Sequence, residues 1–246
     1  MNYRFLSLLG SLCGLMLLQA CSRSVILLSP EDLFALGDHY MENDEFRDAG
    51  EQYQRIRDEY PTSQFATMSQ FKLAEAEYNR GNYDEAAVEF SLFLEFHPGH
   101  KLAPQAQYFI ALSKFHSLPS PERDTTLAHD ALKELEEFLR RYTDHPDYHK
   151  VTRYRIEVID HLQLHEIQVA RVYFRRGDYE AARLRLLPIP DTEASPNVKQ
   201  EALYWLGRVS EKENDRDAAQ SYFRQAGDAG SNERLPRRSS IHLNGV

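Results

Sequence analysis

Residues 36–61 read LGDHYMENDEFRDAGEQYQRIRDEYP, and their spacing decides the fold. Leu36 and Tyr40 stand four apart, on one face of a helix. Ala49, Tyr53 and Ile56 follow at i, i+4 and i+7, the face of a second helix. Gly37 and Ala49 are small, so the two backbones can cross closely. Pro61 cannot continue the second helix and closes the unit. One such pair leaves its apolar face uncovered, so the pattern asks for neighbours of the same kind.

Those neighbours follow downstream. Leu73-Ala74, Gly81, Tyr83, Ala86, Phe90 and Pro98 repeat the register, with Ala86 standing 37 residues after Ala49. A third unit pairs Ile110-Ala111 with Ala131, Leu135 and Phe138. The prolines and serines of 117–121 form a rim loop between them, and Asp124 or Thr125 is placed to cap the next helix. A long helix over 150–176 returns to register with Val169-Ala170, Tyr173, Gly177, Tyr179, Ala182 and Leu186, and stops at Leu187-Pro188-Ile189-Pro190. Leu203, Leu206-Gly207, Ala219 and Phe223 make a fifth unit. This is the spacing of the 34-residue tetratricopeptide repeat (TPR). The expected fold is all-α, a TPR-like α-solenoid of about five helix–turn–helix repeats. Residues 30–146 hold repeats one to three and residues 147–227 hold repeats four and five; 228–246 is a Gly/Ser/Asn/Arg-rich tail expected to be disordered.

The N-terminus reads as a targeting segment. Arg4 precedes an apolar run from Phe5 to Leu18, short for a membrane span, so 1–20 is expected to be a signal peptide. Leu18-Gln19-Ala20-Cys21 resembles the bacterial lipobox, which implies cleavage before Cys21, diacylglycerol on its sulfur and an N-acyl chain. An ordinary signal peptide ending in Cys is the competing reading. Cys13 falls inside the removed run, so no disulfide framework is available to the mature body. Residues 21–29 form a short tether. Its apolar cluster Val25-Ile26-Leu27-Leu28 is either a staple onto the first helix or a segment that dips into the membrane interface. Ser29, or the Pro30-Glu31-Asp32 run, starts that helix.

Catalytic and metal signatures are missing. His161 and His165 stand i, i+4 on a helix, but no third ligand is evident nearby, and polar helix faces explain them. Arg176-Gly177-Asp178 is the turn of repeat four, with Gly supplying a positive φ. No phosphate-binding glycine loop and no nucleophile–base arrangement is present, so the expectation is a protein that is not an enzyme and holds no metal or cofactor. A net charge of −9 argues against nucleic acid as partner.

TPR solenoids bind through a groove lined by the fifth, ninth and twelfth repeat positions. These are Phe34, Asp38 and Met41 in repeat one; Phe71, Glu75 and Tyr78 in repeat two; and Tyr108, Leu112 and Phe115 in repeat three. Repeat four supplies Ile167, Arg171 and Phe174, and repeat five Tyr204, Arg208 and Glu211. The N-terminal half thus offers aromatic anchors for an apolar peptide, Phe34, Met41, Phe71, Tyr78, Tyr108 and Phe115. The competing expectation for any one ring is packing on the next repeat.

Residues 160–182, DHLQLHEIQVARVYFRRGDYEAA, and Pro121-Glu122-Arg123-Asp124 before a helix resemble the BamD (ComL) family of outer-membrane lipoproteins. The resemblance spans Cys21 to about Ala226; His161 stands where the family pattern has Arg, and the tether is shorter. It implies a lipid-anchored scaffold on the periplasmic face of a Gram-negative outer membrane, within the β-barrel assembly (Bam) complex. The N-terminal repeats would receive unfolded outer-membrane proteins at their C-terminal strand. The C-terminal repeats would dock the periplasmic POTRA domains of BamA through Glu166, Arg171, Tyr173 and Arg176. Another periplasmic TPR lipoprotein, such as a pilotin or a cell-wall scaffold, is the alternative.

Overall fold

Ser29 starts the array. Its Oγ accepts from the Asp32 N–H at 3.1 Å, while the Asp32 carboxylate accepts from the Ser29 N–H, a reciprocal cap followed by Pro30 in the first turn. The computed structural model describes residues 27–230; residues 1–26, with the expected signal peptide and Cys21, and residues 231–246 lie outside them. Among the described residues ten α-helices follow in order: α1 (Pro30–Glu42), α2 (Phe46–Glu59), α3 (Ala66–Asn79), α4 (Tyr83–Phe96), α5 (Ala103–His116), α6 (Thr126–Arg141), α7 (Tyr148–Arg176), α8 (Tyr179–Leu186), α9 (Pro196–Lys212) and α10 (Arg216–Gly230). A short 3-10 turn, Ile189–Asp191, separates α8 from α9. Odd-numbered helices are the first of each pair and even-numbered ones the second. Sequential helices pack on one another within each pair, and α3 also meets α5, α5 meets α7 and α7 meets α9. The solenoid of five pairs expected from the spacing is the observed fold.

Small residues set how closely each pair packs. A Cβ added at Gly37 would lie 2.6 Å from Tyr53 Cε1, and one at Gly207 would lie 2.5 Å from Phe223 Cε1. The two glycines occupy the same repeat position and face the same aromatic position on the following helix. Ala74, against Phe90, repeats the arrangement with one carbon more.

The turns within pairs share a second rule. Asp44 (φ 60°), Gly81 (φ 82°), Gly177 (φ 83°) and Asn214 (φ 62°) are left-handed at one repeat position. Only two are glycine; Asp and Asn tolerate this region better than other side chains do. After the Gly177 and Asn214 turns, Asp178 and Asp215 accept from the N–H groups of Ala181 and Ala218 and cap α8 and α10. A Cβ at Gly177 meets no atom within 4 Å. Gly177→Ala is therefore expected to destabilise by about 1–2 kcal/mol through the backbone alone, read as a lower urea midpoint with unchanged slope.

The core is not continuous with one helix per repeat. Val151, Val158 and Leu162 of α7 pack with Tyr108, Phe115, Leu135 and Phe138 of repeat three. Ile159, Ile167 and Ala170 of the same helix pack with Ala182, Leu186, Val198 and Leu206. The long helix read over 150–176 thus serves two cores, and the change from one to the other falls inside α7. Arg155 fixes its first half, bonding Glu136 of α6 at 3.2 Å and pairing with Glu193. Asp160 accepts from the Ser195 N–H at 2.7 Å. Burial still holds the Asp160 carboxyl above the ordinary carboxylate range.

Candidate functional site

The six proposed groove side chains separate into two groups. Phe71, Tyr108 and Phe115 are core residues, at 4%, 5% and 8% exposure. Phe71 lies edge-on to Phe90 and Phe93 at centroid distances of 5.2 and 5.4 Å. Tyr108 is covered by His145 and by Lys150, whose Nζ donates to its hydroxyl at 2.9 Å. Phe115 is covered by Tyr154 at 4.5 Å. These three do not present free faces to a peptide. For Phe71 the cover is Phe90 and Phe93 of α4; for Tyr108 and Phe115 it is Lys150 and Tyr154 of the first half of α7, which lies over the positions that repeat spacing leaves open. Phe34 and Met41 are half-buried beside Tyr53, with Phe34 also 5.3 Å from Phe65. Asp38 accepts from the Tyr53 hydroxyl at 2.7 Å, and burial is the main cause that raises the Tyr53 pKa.

Tyr78 keeps an accessible part and leads into a row of rings. It meets Tyr83 at 5.4 Å and His116 at 6.0 Å; His116 stacks on Tyr83 at 5.0 Å and reaches Tyr154 at 6.3 Å. Burial, then the Lys150 charge, lowers the pKa of His116, so it is a neutral ring at pH 7. Lys150 lies over the Tyr108 ring at 5.7 Å and the Tyr154 ring at 6.0 Å. The Tyr108 hydroxyl holds the ammonium above its usual pKa, and among the described residues no carboxylate forms an ion pair with it. The result is an aromatic ledge with a cation at one end. Sequence reasoning found Tyr78 but missed Tyr83, His116, Lys150 and Tyr154, which sit off the fifth, ninth and twelfth positions.

The second half of the array carries a different surface. Arg171 lies over Trp205 at 5.3 Å, Trp205 is edge-on to Phe174 at 5.5 Å, and Arg208 lies over Phe174 and Tyr204 at 5.8 and 5.9 Å. Cations and rings alternate along α7 and α9 in a ladder that holds Arg171 in place. Ile167 is buried outright. Of the four docking candidates, Tyr173 is half-buried against the repeat-four core, Glu166 pairs with Arg185 at 3.1 Å, and Arg176 is exposed at the end of α7. Arg185 reaches both Glu166 and Tyr173, while Arg171 is turned onto Trp205.

His161 and His165 face the rim loop. His165 Nδ1 lies 2.8 Å from the Pro121 carbonyl, which ties the loop to α7. Asp124, one of the two cap candidates, accepts from the Thr126 N–H at 3.0 Å and takes that role in place of Thr125. Among the described residues no group of three His, Cys, Asp or Glu side chains is placed to hold a metal ion, and no helix is long and apolar enough to cross a membrane.

Repeat register and the ledge describe an architecture and a surface, not a lineage. The lineage comes from a family profile, YfiO, outer membrane lipoprotein, which matches residues 28–223. The chain belongs to the YfiO family. Every helix from α1 to α9 and the first half of α10 fall inside that match, so the ledge, the cation–ring ladder and the rim loop are all within the family's region. Similar proteins include the outer membrane protein assembly factor BamD of Neisseria meningitidis serogroup A, 26% identical over 75% of this chain and 73% of its own, and that of Neisseria gonorrhoeae, 26% identical over 71% and 69%. BamD of Caulobacter vibrioides is 24% identical over 72% of this chain and 58% of its own.

Proposed function

We propose that this protein is a periplasmic scaffold in the assembly of outer-membrane β-barrel proteins, held to the membrane by acyl chains on Cys21. Membership of a family of outer membrane lipoproteins supports this reading, together with relatives that are named as assembly factors. The N-terminal repeats receive the C-terminal strand of an unfolded barrel protein. The observation that carries this assignment is the ledge of Tyr78, Tyr83, His116 and Tyr154 ending at Lys150. A terminal aromatic residue stacks on the ledge, and its main-chain carboxylate meets the unpaired ammonium. The second half of the array docks the periplasmic POTRA domain of BamA, with Arg176 and the Glu166–Arg185 pair as the groups open to it.

Titration with a peptide ending in Phe tests the client site. Lys150→Ala is expected to weaken binding by about tenfold, equivalent to ~1.4 kcal/mol. Amidating the peptide terminus has the same effect on the parent protein and little further effect on the variant. Equal affinity of Lys150→Ala and parent for the free-acid peptide would remove the carboxylate assignment. Affinity purification from host membranes tests the scaffold itself: a barrel protein with POTRA domains is the expected companion, and recovery of a secretin or pilus component in its place overturns it.

A further inference from the structure

The outer face of α4, turned away from the buried Ala86, Phe90 and Phe93, is apolar. Val88, Leu92 and Phe96 stand four apart along it and make one stripe about 12 Å long. Val88 is 59% and Phe96 65% exposed, and Leu92 between them is half-buried. Aligning the repeats on Ala49, Ala86 and Ala131 brings the same three positions of other helices into comparison. In α2 they are Glu51, Arg55 and Glu59; in α6 they are Lys133, Glu137 and Arg141. Ion pairs hold Arg55 to Glu59 at 3.1 Å and Arg141 to Glu137 at 3.6 Å. In α8, aligned on Ala182, Leu184 takes the first position and the helix ends before the second. A charged outer face is thus the rule for α2 and α6, and α4 replaces it with three large apolar side chains. A rimmed apolar stripe of this kind marks a contact surface.

The rim sets the charge of what binds there. The helix holds four carboxylates, Asp84, Glu85, Glu89 and Glu95, and no Lys or Arg. Helical spacing puts Asp84 and Glu95 on one side of the stripe and Glu85 and Glu89 on the other. Among the described residues Glu89 pairs with Arg57 at 2.8 Å, whereas Glu85 and Glu95 form no ion pair. Beside Val88 a groove of about 490 Å³ opens between α2, α3 and α4, with Glu77, Glu85 and Glu89 along it; its Arg80 is already engaged by Glu77 at 2.8 Å. Two copies of this chain laid face to face would set these carboxylates against one another, and an anionic lipid surface would repel them. We propose that α4 docks an amphipathic helix of a partner protein, with the partner's apolar stripe on Val88, Leu92 and Phe96 and its flanking Lys or Arg side chains on Glu85 and Glu95. Tyr83, which α4 gives to the aromatic ledge, stands on the opposite side of the helix, so the two surfaces are open at the same time.

The test uses the full chain in isolated host membranes at low salt. The photo-reactive amino acid p-benzoylphenylalanine replaces Phe96 and, for comparison, Glu59 at the same repeat position of α2. Irradiation is expected to give a protein adduct at 96 and none at 59. Mass spectrometry is expected to place the bond in a segment with apolar residues at helical spacing and Lys or Arg beside them. Removing apolar contact with Val88→Ser is expected to lower the yield about fivefold. Removing rim charge with Glu85→Gln and Glu95→Gln together has an effect of about the same size, which added salt abolishes. Val88, Glu85 and Glu95 are all exposed, so each variant keeps the parent's unfolding midpoint. Capture of a basic amphipathic segment that depends on Glu85 and Glu95 supports the docking face. An adduct with lipid or with a second copy of the chain, an attached segment without Lys or Arg, a yield indifferent to the glutamine pair, or equal yields at 96 and 59 overturns it.

Discussion

Phe71→Ala is expected to lose about 3–5 kcal/mol of stability, the range for deleting a buried phenylalanine. The ring is 4% exposed and is held by Phe90, Phe93 and, at 6.5 Å, Phe109. Three of its neighbours lie on α4 and α5, so the cavity opens between repeats two and three. Denaturant unfolding followed by circular dichroism reads the loss, and Phe34→Ala, at a half-buried position, is the comparison with a clearly smaller effect. Were Phe71 a peptide anchor, the result would be reversed: near-parental stability and a large loss of peptide affinity. An unchanged unfolding midpoint for Phe71→Ala would contradict the core assignment.

The second large effect belongs to Gly37. A valine there drives a Cβ to 2.6 Å from Tyr53. Helix propensity favours replacing glycine by valine, by less than about 1 kcal/mol, whereas overpacking costs about 1–3 kcal/mol and occasionally more. Steric overlap decides the sign here, because Tyr53 has nowhere to go: it is fully buried and its hydroxyl is fastened to Asp38. A net loss near the upper end, ~3 kcal/mol, is expected. Gly207→Val meets Phe223 at a similar distance, but that ring is half-buried and has room to swing. Its loss is expected to be smaller. Equal losses at the two sites would show that ring mobility does not control the penalty.

The five helix pairs were legible in the sequence because each carries its own local punctuation. Leu36-Gly37, Ala49 and Tyr53 mark packing positions that recur wherever the repeat does, and Tyr53 and Ala49 are indeed buried. The left-handed turns at Asp44 and Asn214 were harder to see, since neither is a glycine. The groove was only half legible. Repeat spacing reports which face of a helix Phe71, Tyr108 and Phe115 occupy, but not what lies over that face. What lies over Tyr108 and Phe115 comes from α7, more than thirty residues further along the chain, and its first half has no repeat signature to announce it. The ledge was missed for the same reason: Tyr83 and His116 flank turns, and Lys150 and Tyr154 stand on the unsignalled half of that helix.

A helix of 29 residues is a rod about 43 Å long, and α7 is built into a separate core at each end. Turns yield under load; an unbroken helix with both ends clamped does not. A pull on the last two repeats therefore moves the covering residues Lys150 and Tyr154 as one piece with Arg171 and Tyr173, in the way that a shaft carries torque from wheel to gear. The aromatic ledge at the near end and the cation–ring ladder at the far end are thus carried by one unbroken helix, with no slack between them.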